Sequence, residues 1–502
     1  MTTLMKAWER AGLLLRRDHT LGTIMERLAR AHDRHRLVEE ADNGLRLTYL
    51  QAAKRVNRWA GGIAREVDPG ERVVIAAPNG YEFFLLCLAA ARAGAIPVPV
   101  NQQMRPDEIA HVVRDSGARL VVRSAARVDG AEPMAKAHPA EPGAVAALLY
   151  TSGTTGTPKG VELTHRALLG QVAGAAVWPA GLRRDEAVLS LPIAHIMGFV
   201  SVIGLACAGI PVYFLPRFRP DSVLDAIESR RATVFVGVPA MYRMLLEAGA
   251  EKRDLRSVRV WVSGADAMPP ELAARFKKLG ATITLPVIGS MGEAAFAEGY
   301  GMVELGGGAA AKLSPPGLGF GLGGSIGLPL PGYRFRVVAD DATDAGAGEV
   351  GELWIRGPGV TSGYWGDPEA TRAIVTEDGW LRTGDLGRRG PFGTVVFAGR
   401  KKDVIMHGGY SVYALEVERA LEEHADVLEA AVVGLPDERK GEIPVAAVRL
   451  RDGVDLAALA LDAWAADRMA EYKVPQRFVA VDALPKTGTD KIQKRELLSL
   501  FD

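Results

Sequence analysis

Cysteine is nearly absent from this 502-residue chain, which holds two, Cys87 and Cys207, each in apolar surroundings. That excludes a disulfide scaffold and a thiolate-built metal site, and it fits a reduced, cytoplasmic protein. Net charge is missing as well: Lys and Arg number 60, Asp and Glu 60. With no basic stripe carrying interleaved aromatics, nothing calls for nucleic acid. Long apolar runs are also lacking. One uncharged apolar stretch, 199–215, is interrupted by Gly204, Gly209 and Pro211. It reads as a buried helix followed by a strand rather than a membrane span. The first 20 residues are amphipathic and basic but have no signal-peptide core or cleavage site. Such a segment is compatible with peripheral contact at a membrane surface. Internal repeats and low-complexity tails do not occur.

What is present is ample apolar content, 48%, on a chain too long for one ordinary core, which predicts two or three packed lobes. Over the first 400 residues short apolar strands alternate with helical stretches. A helix over 50–65 places Ala53, Val56, Trp59, Ala60 and Ile63 on one face. Strands are predicted at 72–77, 96–100, 120–122, 145–150, 211–215, 233–237 and 258–262, with helices near 82–94 and 106–116. The alternation predicts an α/β fold with a mostly parallel sheet. Residues 341–356 read as a β-rich patch. Residues 402–502 read as a small α+β unit with a helix at 413–423, strands at 430–434 and 444–450, and a helix at 455–471.

The densest chemical signal is Leu148-Leu-Tyr-Thr-Ser-Gly-Thr-Thr-Gly-Thr-Pro-Lys-Gly160. An apolar strand runs into a loop of small residues and hydroxyls that ends in Lys159. Small residues let backbone N–H groups approach phosphate oxygens, hydroxyls add donors, and Lys159 adds a mobile positive charge. It is not a Walker A loop, because Gly160 rather than Ser or Thr follows the lysine.

In this motif the chain resembles the ANL superfamily of adenylate-forming enzymes, which includes acyl-CoA synthetases, adenylation domains of peptide synthetases and luciferases. Further motifs stand in the family's order: Gly299-Tyr-Gly-Met-Val-Glu304, Gly324-Ser-Ile-Gly-Leu-Pro-Leu-Pro-Gly332, Gly351-Glu-Leu-Trp-Ile-Arg-Gly357, Trp380-Leu-Arg-Thr-Gly-Asp385, Gly399-Arg-Lys-Lys-Asp403 and Leu484-Pro-Lys-Thr-Gly-Thr-Asp-Lys-Ile-Gln-Lys494. The resemblance implies an N-terminal AMP-binding domain over 1–399, of mixed α/β subdomains plus a β-rich subdomain. It implies a hinge at 400–403 and a small mobile α+β C-terminal domain over 404–502.

The same resemblance assigns roles. Thr151, Ser152, Gly153, Thr154, Thr155, Gly156 and Lys159 would cradle the ATP phosphates. Tyr300 and Gly301 would lie on the adenine side, with Gly264 in the same ATP-binding set. Glu304 would contact Mg²⁺, a role that suits a hard oxygen ligand although a lone Glu is by default solvated. Asp385 and Arg400 would hold the ribose, for which a carboxylate is a natural acceptor of two hydroxyls. Lys402 would be the pivot, and Lys491 the catalytic lysine that stabilises charge on the α-phosphate. His195 would lie beside the reacting carboxylate, although a His on an apolar stretch is more often a satisfied core residue. Gly408, Gly409 and Lys440 would serve CoA, two glycines allowing a thin thioester arm to pass the backbone.

No acid stands near His195 to bind a substrate ammonium, which argues against amino acids. Segments 193–199, 234–239, 264–268 and 302–303 are nearly all apolar, with Asp266 the one charge, while Arg217 and Arg219 are expected to be solvated. That predicts a medium- or long-chain fatty acid. The expected reaction is formation of acyl-AMP from the acid and ATP, then transfer to CoA. One alternative is loading of a carrier protein. Another is a catalytically weak acyl- or nucleotide-binding homologue, suggested by Asp490 where the family usually has Gly and by Val303 where it usually has Thr. A homodimer is compatible with the sequence. The stretch from Ser263 to Gly299 is longer than usual, so residues 284–297 are expected to extend the acyl tunnel or form a surface flap.

Overall fold

The computed structural model describes residues 8–13, 16, 18–152, 158–170, 172–178, 184–285, 289–317, 324–486 and 492–501. By packing the chain forms two compact units. One comprises 1–334 with 355–381, the other 335–354 with 382–502.

The first unit is built on a sheet of nine strands among the described residues. Six of them run parallel in the order Ala295–Met302, Val260–Gly264, Val234–Gly237, Ala187–Leu189, Val212–Phe214 and Arg36–Glu40. Antiparallel strands extend both edges, Gly307–Ser314 on one side and Arg46–Thr48 on the other. Alternation along the strands divides the apolar residues between two cores. Val234 and Val236 join one, while Phe235 joins an aromatic cluster with Tyr242, Trp261 and Phe276 on the other face. A second, parallel sheet holds Ile96–Pro99, Arg72–Ile75 and Leu120–Val122.

Local chemistry explains the helix limits. Tyr49–Ile63 starts at a Thr48–Gln51 capping box, and its face of Ala53, Val56, Trp59, Ala60 and Ile63 is buried as the periodicity predicts. Pro106–Ser116 has Pro at its first position and ends on Gly117 at φ 58°. The 199–215 stretch is the helix Ile196–Ala208 followed by the strand Val212–Phe214. No helix among the described residues is long and apolar enough to cross a membrane. Cys87 and Cys207 are buried outside any disulfide, and burial pushes the Cys207 thiol up to about 12. Ile283–Leu285 pairs antiparallel with Gly289–Met291, two short strands. Ile283 and Met291 are exposed there.

The second unit contains a four-stranded sheet in the order Arg334–Val338, Gly351–Arg356, Leu381–Arg389 and Val395–Arg400. Thus the β-rich patch predicted near 341–356 packs largely with the C-terminal chain. A five-stranded sheet follows, with Val427–Asp437 and Gly441–Leu450 as its long antiparallel pair and Ala414–Glu422 packed over it. The helix expected over 455–471 is not continuous. A 3₁₀ turn at Leu456–Ala458 and a helix at Leu461–Ala466 are separated by Ala460 at φ 45°. Leu456, Leu459 and Leu461 all pack on the same core. Positions 459 and 461 cannot share a face of one helix, so the chain breaks between them.

Candidate active site

In the first unit the candidate residues gather at one edge of the parallel sheet. His195 lies beyond the end of Ala187–Leu189, Val238 directly after Val234–Gly237, Gly264 at the end of Val260–Gly264, and Glu304 just past Ala295–Met302. These are four adjacent strands, and the carboxyl ends of parallel strands are where open α/β sheets bind ligands. Met197 shows how tight the edge is. A Cβ at Gly264 would lie 3.2 Å from the Gly299 carbonyl oxygen and 3.4 Å from the Met197 methyl. Gly301 is tighter still, since a Cβ there would lie 1.7 Å from the Gly307 carbonyl oxygen, so no other residue fits without moving backbone. Tyr300 is half-buried in the ladder opposite Ala310.

Strands Val145–Ser152 and Pro158–Thr164 form a hairpin with Thr151 opposite Lys159. Gly153, Thr154, Thr155 and Gly156 lie outside the described residues, as does the side chain of Ser152. The hairpin base is anchored from the helix Pro106–Ser116. A His111 ring nitrogen lies 2.9 Å from the Pro158 carbonyl oxygen, and the Tyr150 hydroxyl donates to Asp115 at 2.6 Å. Lys159 Nζ pairs with Asp367 Oδ2 at 2.8 Å and lies 5.6 Å from the centroid of the Tyr364 ring. The lysine hydrogen bond holds the Asp367 carboxyl below its ordinary range, and the Ala370 N–H adds to the effect.

Glu304 is 8% exposed. The Tyr364 hydroxyl donates to its Oε1 at 3.0 Å, and the Thr361 N–H donates to its carbonyl at 2.8 Å. Burial and the Glu304 carboxylate both push the Tyr364 phenol up. Tyr364 therefore joins Glu304 to Lys159, which stand 145 positions apart in the chain. The alignment is structural: Tyr364 pairs with Val161 of the hairpin. Tyr364 and Asp367 fall outside the sequence motifs. The readable local signal was an Asp before Pro368, a helix start. Their long-range partners leave no such trace.

His195 caps the helix Ile196–Ala208, its Nδ1 accepting the Met197 N–H at 3.4 Å. In the neutral ring this places the proton on Nε2. The loop before it is held by Asn79, whose Oδ1 accepts the Ile193 N–H at 2.8 Å and whose Nδ2 donates to the Pro216 carbonyl at 2.9 Å. Met197, Val238, Met241 and Val303 are partly buried against the main core nearby. Phe235 packs on the opposite face of the sheet. Asp266, Arg217 and Arg219 are exposed.

In the second unit Asp385 and Arg400 are cross-strand partners, with Arg400 Nε 3.5 Å from Asp385 Oδ1. Asp385 is buried, and its N–H donates to Thr383 Oγ1. Lys402 is exposed in the single turn Lys401–Asp403. Gly408 and Gly409 have φ of 59° and 84°, and the Gly408 N–H donates to the Lys440 carbonyl at 2.8 Å. All three are exposed. Lys491 lies outside the described residues. The chain on either side is tied down by Lys486 to Glu429 at 2.9 Å and Lys494 to Glu418 at 2.6 Å.

The profile of AMP-binding enzymes matches residues 25–141 and 124–365, and that of the AMP-binding enzyme C-terminal domain matches 416–491. The chain belongs to the AMP-binding enzymes. A feruloyl-CoA synthase from an Amycolatopsis species is 33% identical over 492 residues, covering 91% of this chain and 94% of its own. A long-chain-fatty-acid–CoA ligase from Bacillus subtilis (strain 168) is 37% identical over 361 residues, 70% of this chain and 61% of its own. The crystal structure of ATP-bound MatB from Rhodopseudomonas palustris matches with a TM-score of 0.83 at 28% identity, covering 96% of this chain and 99% of that one. The protein is thus an adenylate-forming enzyme of the ANL superfamily, in the AMP-forming acyl-CoA ligase family.

For an adenylate-forming enzyme the metal question is one of donors. Among the described residues no group of three His, Cys, Asp or Glu side chains gathers. In the family reading Glu304 would offer a divalent ion a hard carboxylate oxygen. That fits Mg²⁺, which keeps waters and binds through one or two carboxylates plus substrate phosphates.

Proposed function

We propose that this enzyme activates a medium- or long-chain fatty acid with ATP and then passes the acyl group to CoA. In the first step a carboxylate oxygen attacks the α-phosphorus, forming acyl-AMP and expelling pyrophosphate. In the second the CoA thiolate attacks the acyl carbonyl and AMP leaves. Lys159 and the hairpin loop hold phosphate, Glu304 holds Mg²⁺, Asp385 and Arg400 hold the ribose, and Lys491 steadies the α-phosphate charge. His195 sits by the acid, Gly408, Gly409 and Lys440 receive CoA, and residues 400–403 with Lys402 are the pivot between 1–399 and 404–502.

The observation that carries the adenylation reading is the Lys159–Tyr364–Glu304 grouping at the sheet edge, a cation and a carboxylate set for phosphate and metal. The apolar side chains around His195 and Gly264 support a hydrocarbon substrate. Each methylene buried there contributes about 0.8 kcal/mol. Acetate cannot gain this, and malonate or an amino acid would bury a second charge without a partner. The feruloyl-CoA synthase relative favours a second reading, an aryl acid in the same apolar slot. The test is kcat/KM for CoA-dependent AMP formation across acids from two to eighteen carbons, with ferulate included. A rise toward long chains supports the fatty acid. A maximum at ferulate favours the aryl reading, and a maximum at acetate or malonate overturns both. Acyl-AMP that accumulates with CoA present points to a carrier-protein acceptor.

A further inference from the structure

The turn from Tyr364 to Asp367 meets both charged groups of the phosphate site at once. Its phenol donates to Glu304, and its carboxylate accepts from Lys159. The turn is itself held. The Asp367 N–H donates to the Tyr364 carbonyl at 3.1 Å, and Asp367 Oδ1 caps the helix Pro368–Ile374 through the Ala370 N–H at 2.9 Å. Asp367 therefore cannot readily follow Lys159 if the lysine moves, whereas Lys159 ends a flexible four-carbon stem. The two side chains are 31% and 38% exposed. A pair so open to water is weak and exchangeable.

We propose that Asp367 is a built-in counter-ion that occupies Lys159 until phosphate displaces it, and so limits how tightly the enzyme holds ATP. The proposal rests on the reading of Lys159 as a phosphate ligand. Two effects act in the same direction. The ammonium must leave one anion to serve another, and a fixed carboxylate close to the polyphosphate repels it. Asp367 is thus a positioning residue, acting through Lys159. The role would keep the lysine oriented between turnovers at a cost in nucleotide affinity.

The test is ATP binding to the full-length protein by titration calorimetry at low salt with EDTA, which removes the metal arm through Glu304. Asp367→Asn keeps the helix cap, since Asn and Asp cap equally well, and removes the charge. Its Kd for ATP should fall about two- to fivefold. The difference should shrink as salt approaches about 1 M, where screening acts within about 3 Å. Asp367→Ser, which also caps, should behave alike and guards against a fault peculiar to Asn. In a Lys159→Ala background, where ATP binds more weakly, the Asp367→Asn gain should shrink. If Lys159→Ala weakens binding but Asp367→Asn and Asp367→Ser leave Kd unchanged or raise it, the counter-ion proposal falls and the reading of Lys159 stands. If Lys159→Ala binds ATP as the wild type does, both fall.

Discussion

Glu304 in the first unit is buried and hydrogen-bonded through side chain and main chain, whereas Gly408, Gly409, Lys402 and Lys440 in the second lie at the surface. Asp385 stands between these extremes, buried but facing an Arg400 that is 44% exposed. Ordered, buried groups make a preorganised site, whose dipoles need no rearrangement when charge develops. Exposed glycines and lysines make a site that forms only when a partner arrives. The difference suits the proposed division of labour. On the proposed reading the phosphate-binding side would be ready before ATP enters, while the groups of the second unit would divide between two successive steps.

The sharpest way to break that comparison is Lys491→Ala. If Lys491 supplies charge to the α-phosphate only during adenylation, pyrophosphate exchange should fall about 10²- to 10³-fold, the usual cost of one preorganised donor. Thioester formation from supplied acyl-adenylate should be nearly unchanged. Equal losses in both half-reactions, or no loss in either, would remove Lys491 from its assigned role and with it the idea that the second unit serves the two steps differently.

How far this was legible in the sequence depended on the range of the cause. Pro106–Ser116 was readable to the residue because Pro106 and Gly117 mark its ends locally. The break at Ala460 was not, because it arises from three leucines seeking one core. Phe235 shows a subtler limit. Strand alternation predicts that it opposes Val234 and Val236, but only the packed sheet reveals which core each face joins. Glu304, Asp385 and Lys159 stood out through motif order. Tyr364 and Asp367 did not, since Asp367 meets Lys159 across 208 positions.

A second, smaller effect probes the buried side. His165 starts the helix that follows the hairpin Val145–Ser152 and Pro158–Thr164, and its Nδ1 accepts the Leu21 N–H at 3.0 Å. Burial lowers its pKa to about 4. The folded protein therefore keeps it neutral where the unfolded chain, near 6.5, takes a proton. Stability is full above about pH 6.5 and declines as pH falls toward about 4. Between pH 7 and 5 this group should cost about 2 kcal/mol of unfolding free energy. His165→Asn, which retains an acceptor but does not titrate, should lose correspondingly less over the same interval in urea unfolding. Parallel pH profiles for the two proteins would show that His165 is not held neutral and that the hairpin's support is less rigid than its burial implies.

The smallest expected effect lies on the exposed side. Lys440 is tied to Gly408 only through its backbone carbonyl, and its N–H donates to Asp437 Oδ1 at 2.8 Å. Truncating the side chain should therefore leave the loop intact. A surface ammonium that meets a CoA phosphate contributes about 0.2–1 kcal/mol. Lys440→Ala should then raise KM for CoA about two- to fivefold at low salt, with adenylation unchanged. The effect should fade toward about 1 M salt. Gly409→Ala provides the contrast. Among the described residues no neighbouring atom lies within 4 Å of a Cβ there, so the penalty expected comes from φ of 84° and not from a clash. A left-handed non-glycine residue costs about 1–2 kcal/mol, and that strain does not depend on salt. If Lys440→Ala instead impaired adenylation, or if its effect on CoA survived high salt, Lys440 would be part of a preformed site. The contrast between a prepared first unit and an adaptable second one would then fail where it is easiest to measure.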